Sequence, residues 1–108
     1  MRMWRVAPNL MCRKHLLGEH CEMHMFLGAI RKGIKLRGYI DNGLVQVHSI
    51  VGRHDELAIE MVKRKYSHIS PMSEEDEQIL WREGVVDIAK SQQELARRCE
   101  ECYKLLTI

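Results

Sequence analysis

The stretch that decides the fold is His15-Leu16-Leu17-Gly18-Glu19-His20-Cys21-Glu22, within an N-terminal segment that spans residues 1–32. On a helix, His15, Glu19 and Glu22 stand at positions i, i+4 and i+7 and therefore share one face. Burying unpaired charge costs free energy, so two carboxylates and an imidazole do not form an ordinary core face. The face is either solvated or lines a functional site, and on spacing alone the solvated face is favoured.

Length and composition predict an all-α protein. The chain has 108 residues, 45% of them hydrophobic and only 2 of them proline, which favours one domain over residues 1–108 and helices over a sandwich or barrel. We expect a compact helical bundle of about three main helices with an extended N-terminal segment. Without an apolar run of membrane-spanning length or a secretory leader, we expect an intracellular protein with no membrane partner, either cytoplasmic and nucleoid-associated or virus-encoded.

The hydrophobic pattern divides the chain into segments. Residues 1–8 end in a proline and are predicted to be extended. A first helix is predicted from Asn9, as N-cap, to about Lys32. After a connection from Gly33 to Gly43, a second helix is predicted from Leu44 to about Tyr66, although its first turns alternate as a strand would. A third helix is predicted from Ser73 to about Leu106.

Local signals refine these segments. Ser73 and Asp76 have the spacing of a capping box, which marks the start of the third helix. Gly84 is a candidate break within that helix. Gly18 and Gly28 each cost a helix about 1 kcal/mol relative to alanine. Their presence in the first helix suggests that another backbone approaches closely there.

Cysteines and histidines occur in three short patterns, which are Cys12-x-x-His15, His20-Cys21-x-x-His24 and Cys99-x-x-Cys102. A zinc site needs four such ligands that converge tetrahedrally. The spacing between the pairs does not match a zinc finger or ribbon, and the pairs fall in separate predicted helices. We therefore predict no metal and interpret the cysteines as free thiols.

A basic cluster follows the first helix and consists of Arg31, Lys32, Lys35 and Arg37. The net charge is only +2, but such a cluster can form one positive face for phosphates. Cations favoured by the dipole at a helix C-terminus are an equally good interpretation. The aromatic residues that are candidates for base stacking, or else for the core, are Trp4, Tyr39, Trp81 and Tyr103.

Three sequence stretches together resemble the pyrimidine-dimer DNA glycosylase family, the phage endonuclease V type. They are Met1-Arg2-Met3-Trp4, the run at residues 15–22, and Leu27-Gly28-Ala29-Ile30-Arg31-Lys32. The resemblance is continuous through Lys32. It resumes at residues 53–57, at Lys63-Arg64 and at residues 88–92.

The resemblance implies a compact, mostly helical monomer that excises damaged pyrimidines from double-stranded DNA and nicks the strand in a lyase step, without a cofactor. The implied nucleophile is the α-amino group of Met1, which the bulky Arg2 should protect from initiator removal. An α-amino group titrates near ~7.7–8.0 against ~10.4 for lysine, so more of it is free base at neutral pH. Glu22 would stabilise the cationic intermediate and move the proton for β-elimination.

The resemblance also implies a DNA-contacting surface. The predicted contacts are Arg2, His15, Glu19, Arg31, Lys32 and Lys35. Arginines that hold phosphates in better-known members are replaced here by Cys21 and Met25, so the amine chemistry is better supported than the lesion. Other hypotheses stay open: a lyase for another damaged or modified base, a non-catalytic DNA-binding module of the same fold, or a metal-dependent helical interaction protein.

Overall fold

The computed structural model describes residues 1–68 and 70–108. Within these residues the chain forms six α-helices and no strand, which confirms the all-α prediction. The helices are α1 (Arg13–Arg31), α2 (Arg37–Asp41), α3 (Ile50–Lys63), α4 (Glu74–Gln78), α5 (Ile88–Arg98) and α6 (Glu100–Leu106). Across the part of the chain so described, none of the helices is both long and apolar enough to cross a membrane.

The core lies between α1 and α3, which form the most extensive helix–helix packing in the described residues. On α1 the fully buried apolar side chains are Leu16, Met23 and Phe26, whose spacing gives one apolar face. The opposing α3 buries Ile50 and Leu57 in the same core cluster. A second pair, α5 and α6, packs together and closes the core from the side of the C-terminus.

Residues 1–7 form no helix, but the predicted extended backbone is interrupted at Arg5, which has a left-handed φ of 56°, and Pro8 begins a 3-10 turn. Hydrogen bonds fix this N-terminal segment to two parts of the fold. The Met3 backbone N–H donates to the Leu44 carbonyl at 2.7 Å, and the Ser91 hydroxyl donates to the Trp4 carbonyl at 2.5 Å. The side chains of Met3 and Trp4 are buried in the core. These contacts hold the first residues against the segment before α3 and against α5.

The predicted helix boundaries needed correction in three places. Helix α1 begins at Arg13 with Cys12 as its N-cap, because Pro8–Leu10 forms a separate 3-10 turn that ends before Cys12. The second helix begins only at Ile50, since residues 44–46 are not helical and residues 47–49 form a second 3-10 turn. The predicted third helix is in fact three separate helices, and the connection at residues 33–43 contains the short α2.

Close backbone approach occurs at Gly84 and not at the two glycines of α1. Gly84 has a φ of +90°, and a Cβ atom there would lie 2.2 Å from the Val45 carbonyl oxygen. A Cβ at Gly18 or Gly28 would meet no atom within 4 Å, so the suggestion for these positions was wrong. The break at Gly84 and the capping box at Ser73 are both confirmed.

Candidate active site

The N-terminal segment, α1 and α5 surround an open pocket of about 640 Å³. Five of the predicted catalytic or DNA-contacting residues line it, namely Met1, Arg2, His15, Glu19 and Glu22. The other lining residues are Trp4, Lys14, Gly18, Leu44 and Arg98. We call this cavity the N-terminal pocket.

The α-amino group of Met1 and the carboxylate of Glu22 meet in the N-terminal pocket. The nitrogen lies 3.9 Å from Glu22 Oε1, and the side chains of Met1 and Glu22 are 16% and 28% exposed. Both groups are therefore partly shielded from water but reachable from it. A primary amine beside a carboxylate can attack one carbon atom while the carboxylate accepts a proton from a neighbouring carbon.

Burial shifts the pKa of three ionisable groups in the pocket. It raises the pKa of the Glu22 carboxyl above its ordinary value, and the nearby α-amino group opposes this shift only in part. Burial, followed by the positive charge of Arg98, lowers the pKa of the Arg2 guanidinium. Burial, followed by Lys14 and Arg98, lowers the pKa of the His15 imidazole. Burial therefore disfavours the charged form of each of these groups.

A stack of two arginines on an indole forms one wall of the pocket. The Arg2 guanidinium carbon lies 3.9 Å from the ring centre of Trp4, and that of Arg98 lies 5.9 Å from the same centre. The Nε atom of Arg2 is buried and has no hydrogen-bond partner among the described residues. An unpaired cationic donor at the edge of a pocket is suited to bind an anionic oxygen.

Glu19 lies beneath the pocket and is already paired. Its side chain is buried, and both carboxylate oxygens accept hydrogen bonds from Arg53, at 2.6 and 2.8 Å. The same guanidinium also donates to the Val6 carbonyl at 2.8 Å. The stripe was predicted either to be solvated or to line a site. Its three members, His15, Glu19 and Glu22, all line the pocket, but the Glu19 carboxylate is already held in a buried ion pair.

The predicted basic residues at and after the C-terminal end of α1 do not line the N-terminal pocket. Arg31, Lys32 and Lys35 are all exposed, and Arg31 pairs with the carboxylate of Asp76. Arg31 stands nine positions after Glu22, a separation of about 14 Å along the helix. Any contact of these residues with DNA would therefore lie away from the pocket.

Sequence reasoning missed Lys14 and Arg98. Lys14, Gly18 and Glu22 follow one another at intervals of four on α1, so helical spacing alone could have found Lys14. Arg98 reaches the pocket from α5 through tertiary packing. No local sequence signal marks that contact.

Two groups of side chains in the described residues have ligand atoms close enough to share a metal ion. The first joins Cys12, His15, Cys99 and Cys102, and the second joins three histidines; within each group the ligand atoms lie within 4.8 Å of one another. The sequence argument against a metal relied on the separation of the cysteine pairs into different helices. Folding brings these pairs together.

The three histidines of the second group are His20, His54 and His68. His68 Nε2 lies 2.9 Å from His20 Nε2 and 3.4 Å from His54 Nε2. The Nδ1 atom of His54 lies 2.9 Å from a carboxylate oxygen of Asp55. Burial, together with the neighbouring imidazoles, lowers the pKa of His20 to about 4. Of these three rings, His20 and His54 are buried and His68 is half-buried.

Comparison with known proteins gives one match. No curated protein and no solved structure shows significant similarity to the chain. The family model described as pyrimidine dimer DNA glycosylase matches residues 1–74, which include Met1, Glu22 and all of α1 and α3. This match covers well over half of the sequence, as the resemblance at residues 1–32 predicted. The chain belongs to the pyrimidine dimer DNA glycosylase family.

Proposed function

We propose that the protein is a DNA glycosylase with an associated abasic-site lyase activity, acting on ultraviolet-induced pyrimidine dimers. Family membership supports the glycosylase activity. The observation that best supports the mechanism is the 3.9 Å approach of the Met1 α-amino nitrogen to Glu22 Oε1 in an open pocket. Met1 is the proposed nucleophile, and Glu22 is the proposed proton-transfer group.

In the glycosylase step, the free amine of Met1 forms a bond to C1′ of the deoxyribose as the bond between C1′ and the damaged base breaks. The base leaves with the bonding electron pair and takes up a proton. Opening of the sugar ring then gives an imine between the protein and C1′. The ionised Glu22 carboxylate stabilises the positive charge that develops on the sugar and on the imine nitrogen.

In the lyase step, a base removes the proton from C2′ of the imine. The electron pair forms a double bond between C2′ and C3′, and the 3′ phosphate leaves, which nicks the strand. Glu22 is the carboxylate nearest to the amine among the pocket residues and is suited to accept this proton. Hydrolysis of the imine with one water molecule then frees the amine for another turnover.

The pocket also offers groups that can hold the distorted DNA. Arg2, Lys14 and Arg98 supply positive charge around the pocket for the phosphates on either side of the reacting sugar. Trp4 presents an apolar surface beside the Arg2 guanidinium. A sugar carbon inside a duplex is not accessible to an amine, so the substrate must be bent and a nucleotide displaced from the stack.

A borohydride trap tests the mechanism. The protein is incubated with an oligonucleotide that carries a thymine dimer or an abasic site, and borohydride reduces any imine to a stable amine. We expect a covalent adduct whose DNA-derived mass maps to the peptide that begins at Met1. Acetylation of the α-amino group should abolish both the adduct and the nick.

Two further proteins complete this test. Glu22→Gln should lower strand cleavage by at least about 100-fold, as expected for loss of a proton-transfer group, and keep DNA binding. The control Glu77→Gln removes an exposed carboxylate outside the pocket and should leave cleavage unchanged. Salt-sensitive DNA binding without any adduct would instead identify a non-catalytic DNA-binding module, and an adduct on abasic sites alone would exclude the dimer as substrate.

A further inference from the structure

Four potential metal ligands converge where the start of α1 meets the start of α6. Cys12 Sγ lies 3.3 Å from His15 Nδ1 and 3.8 Å from Cys99 Sγ. Cys102 Sγ lies 3.8 Å from His15 Nδ1, and all four ligand atoms lie within 4.8 Å of one another. We call these four residues the Cys3His cluster.

These distances fit a tetrahedral zinc ion. With Zn–S bonds of about 2.3 Å and Zn–N bonds of about 2.0–2.1 Å, a tetrahedron places its sulfurs about 3.8 Å apart and sulfur and nitrogen about 3.6 Å apart. The measured separations of Cys12 from His15 and from Cys99 fall close to both values. Hydrogen bonds among neutral thiols do not require four such atoms to meet at one point.

Backbone groups around the cluster also favour thiolate ligands. The N–H of Cys12 points at Cys102 Sγ from 3.3 Å, and the N–H of Cys102 points at Cys99 Sγ from 3.4 Å. Such donors stabilise the negative charge of a metal-bound sulfur and fix its orientation. Soft sulfur ligands with one imidazole, in a closed tetrahedral set, select zinc over magnesium, calcium or manganese.

We infer that Cys12, His15, Cys99 and Cys102 form a structural zinc site. The ligands come from residues as far apart as 90 positions, so one ion would tie the beginning of α1 to the C-terminal helices. His15 also lines the N-terminal pocket, and Cys99 directly follows the pocket residue Arg98. Zinc would thereby fix one wall of the pocket. The inference does not depend on the proposed function, because metal content is measured without DNA.

The test uses tag-free protein purified without chelator, with zinc measured by inductively coupled plasma mass spectrometry. We expect one equivalent of zinc per chain. Cobalt should exchange into the site and produce the visible bands of a tetrahedral ion together with a thiolate charge-transfer band. The double variant Cys99→Ser, Cys102→Ser should lose the whole equivalent and the charge-transfer band.

Two matched variants separate a metal site from a merely structural role of the thiols. Cys21→Ser replaces the exposed cysteine of α1 outside the cluster and should keep the full equivalent of zinc. Cys99→His replaces a thiolate ligand by an imidazole ligand. This variant should retain zinc, whereas the double variant Cys99→Ser, Cys102→Ser should lose it. Circular dichroism with and without a chelator follows the fold, which should be less heat-stable after zinc removal in the wild type but not in the double serine variant.

Three results would overturn the inference. The first is folded wild-type protein that holds no zinc and takes up neither zinc nor cobalt. The second is a disulfide between any two of the cluster cysteines in freshly purified protein, seen as the loss of two hydrogen atoms in intact mass. The third is zinc that remains in the double serine variant, which would place the metal elsewhere, for instance at His20 and its neighbours.

Discussion

At the scale of the residue, ionised Glu22 opposes folding at the pH where the proposed reaction needs it. Burial raises the pKa of its carboxyl above the ordinary value of 4.5, so the folded protein holds the proton more tightly than the unfolded chain. The resulting stabilisation is complete below the unfolded pKa and is lost as the pH rises through the folded one. At neutral pH the carboxylate therefore remains ionised at a cost in stability.

Glu22→Gln should raise the melting temperature at neutral pH while abolishing cleavage. The neutral amide removes the buried charge and keeps the size of the side chain. The increase in melting temperature over the wild type should shrink as the pH falls and vanish near about pH 4, where the wild-type carboxyl is itself protonated. Thermal denaturation across this range measures the effect, and a glutamine variant that melts below wild type at pH 7 would contradict it.

Arg98 and Arg97 offer a matched pair on α5. Both pair with Glu94, at 2.5 Å in each case, but only Arg98 lines the N-terminal pocket. Arg98→Gln should weaken binding to abasic-site DNA several-fold. It should also reduce the slope of the logarithm of the binding constant against the logarithm of the salt concentration by about one, because one phosphate contact is lost. Arg97→Gln removes the same charge one position earlier and should have a smaller effect.

Fluorescence anisotropy at several salt concentrations measures both arginine variants under the same conditions. If the two substitutions weaken binding equally, general electrostatic attraction explains the effect. Arg98 would then have no specific role in the pocket.

At the scale of the element, the connection between α4 and α5 depends on Gly84. Its φ of +90° is unfavourable for other L-residues, and an added Cβ would lie 2.2 Å from a backbone oxygen of Val45. Gly84→Ala should therefore destabilise the protein strongly. Gly28 lies in the last turn of α1, where an added Cβ would meet no atom within 4 Å, so Gly28→Ala should stabilise the helix by roughly 0.5–1 kcal/mol.

Urea denaturation gives the free energy of unfolding of both glycine variants. Gly84→Ala should lower the free energy of unfolding, and Gly28→Ala should raise it. A neutral Gly84→Ala would mean that the backbone can move away from Val45 at little cost.

Helical spacing predicted the elements well where the contacts are local. The pocket face of α1 and the capping box at Ser73 follow from residues within eight positions of one another. The start of α1 at Arg13 was missed because the 3-10 turn at residues 8–10 competes with helix for the same residues. The separation of α4 from α5 is marked in the sequence by Gly84 and by Asp87, whose side chain accepts a hydrogen bond from the Lys90 N–H as the N-cap of α5.

At the scale of the whole molecule, the contacts that sequence reasoning missed are those between distant parts of the chain. Cys12 and Cys99 are 87 positions apart, and only the packing of α6 near the start of α1 brings them together. Arg98 enters the pocket by the same packing. Local periodicity carries no information about which helices meet, so the Cys3His cluster could not be predicted from spacing.

The ion pair of Glu19 and Arg53 joins three parts of the fold, because Arg53 on α3 binds α1 and also the Val6 carbonyl of the N-terminal segment. Both side chains are fully buried, so removing one partner leaves an unpaired charge. Arg53→Met or Glu19→Leu alone should lower the free energy of unfolding by about 3–5 kcal/mol. The double variant should lose less than the sum of the two, since it buries no charge. Urea denaturation of the four proteins yields the coupling energy, and strictly additive losses would mean that the two side chains stabilise the fold independently.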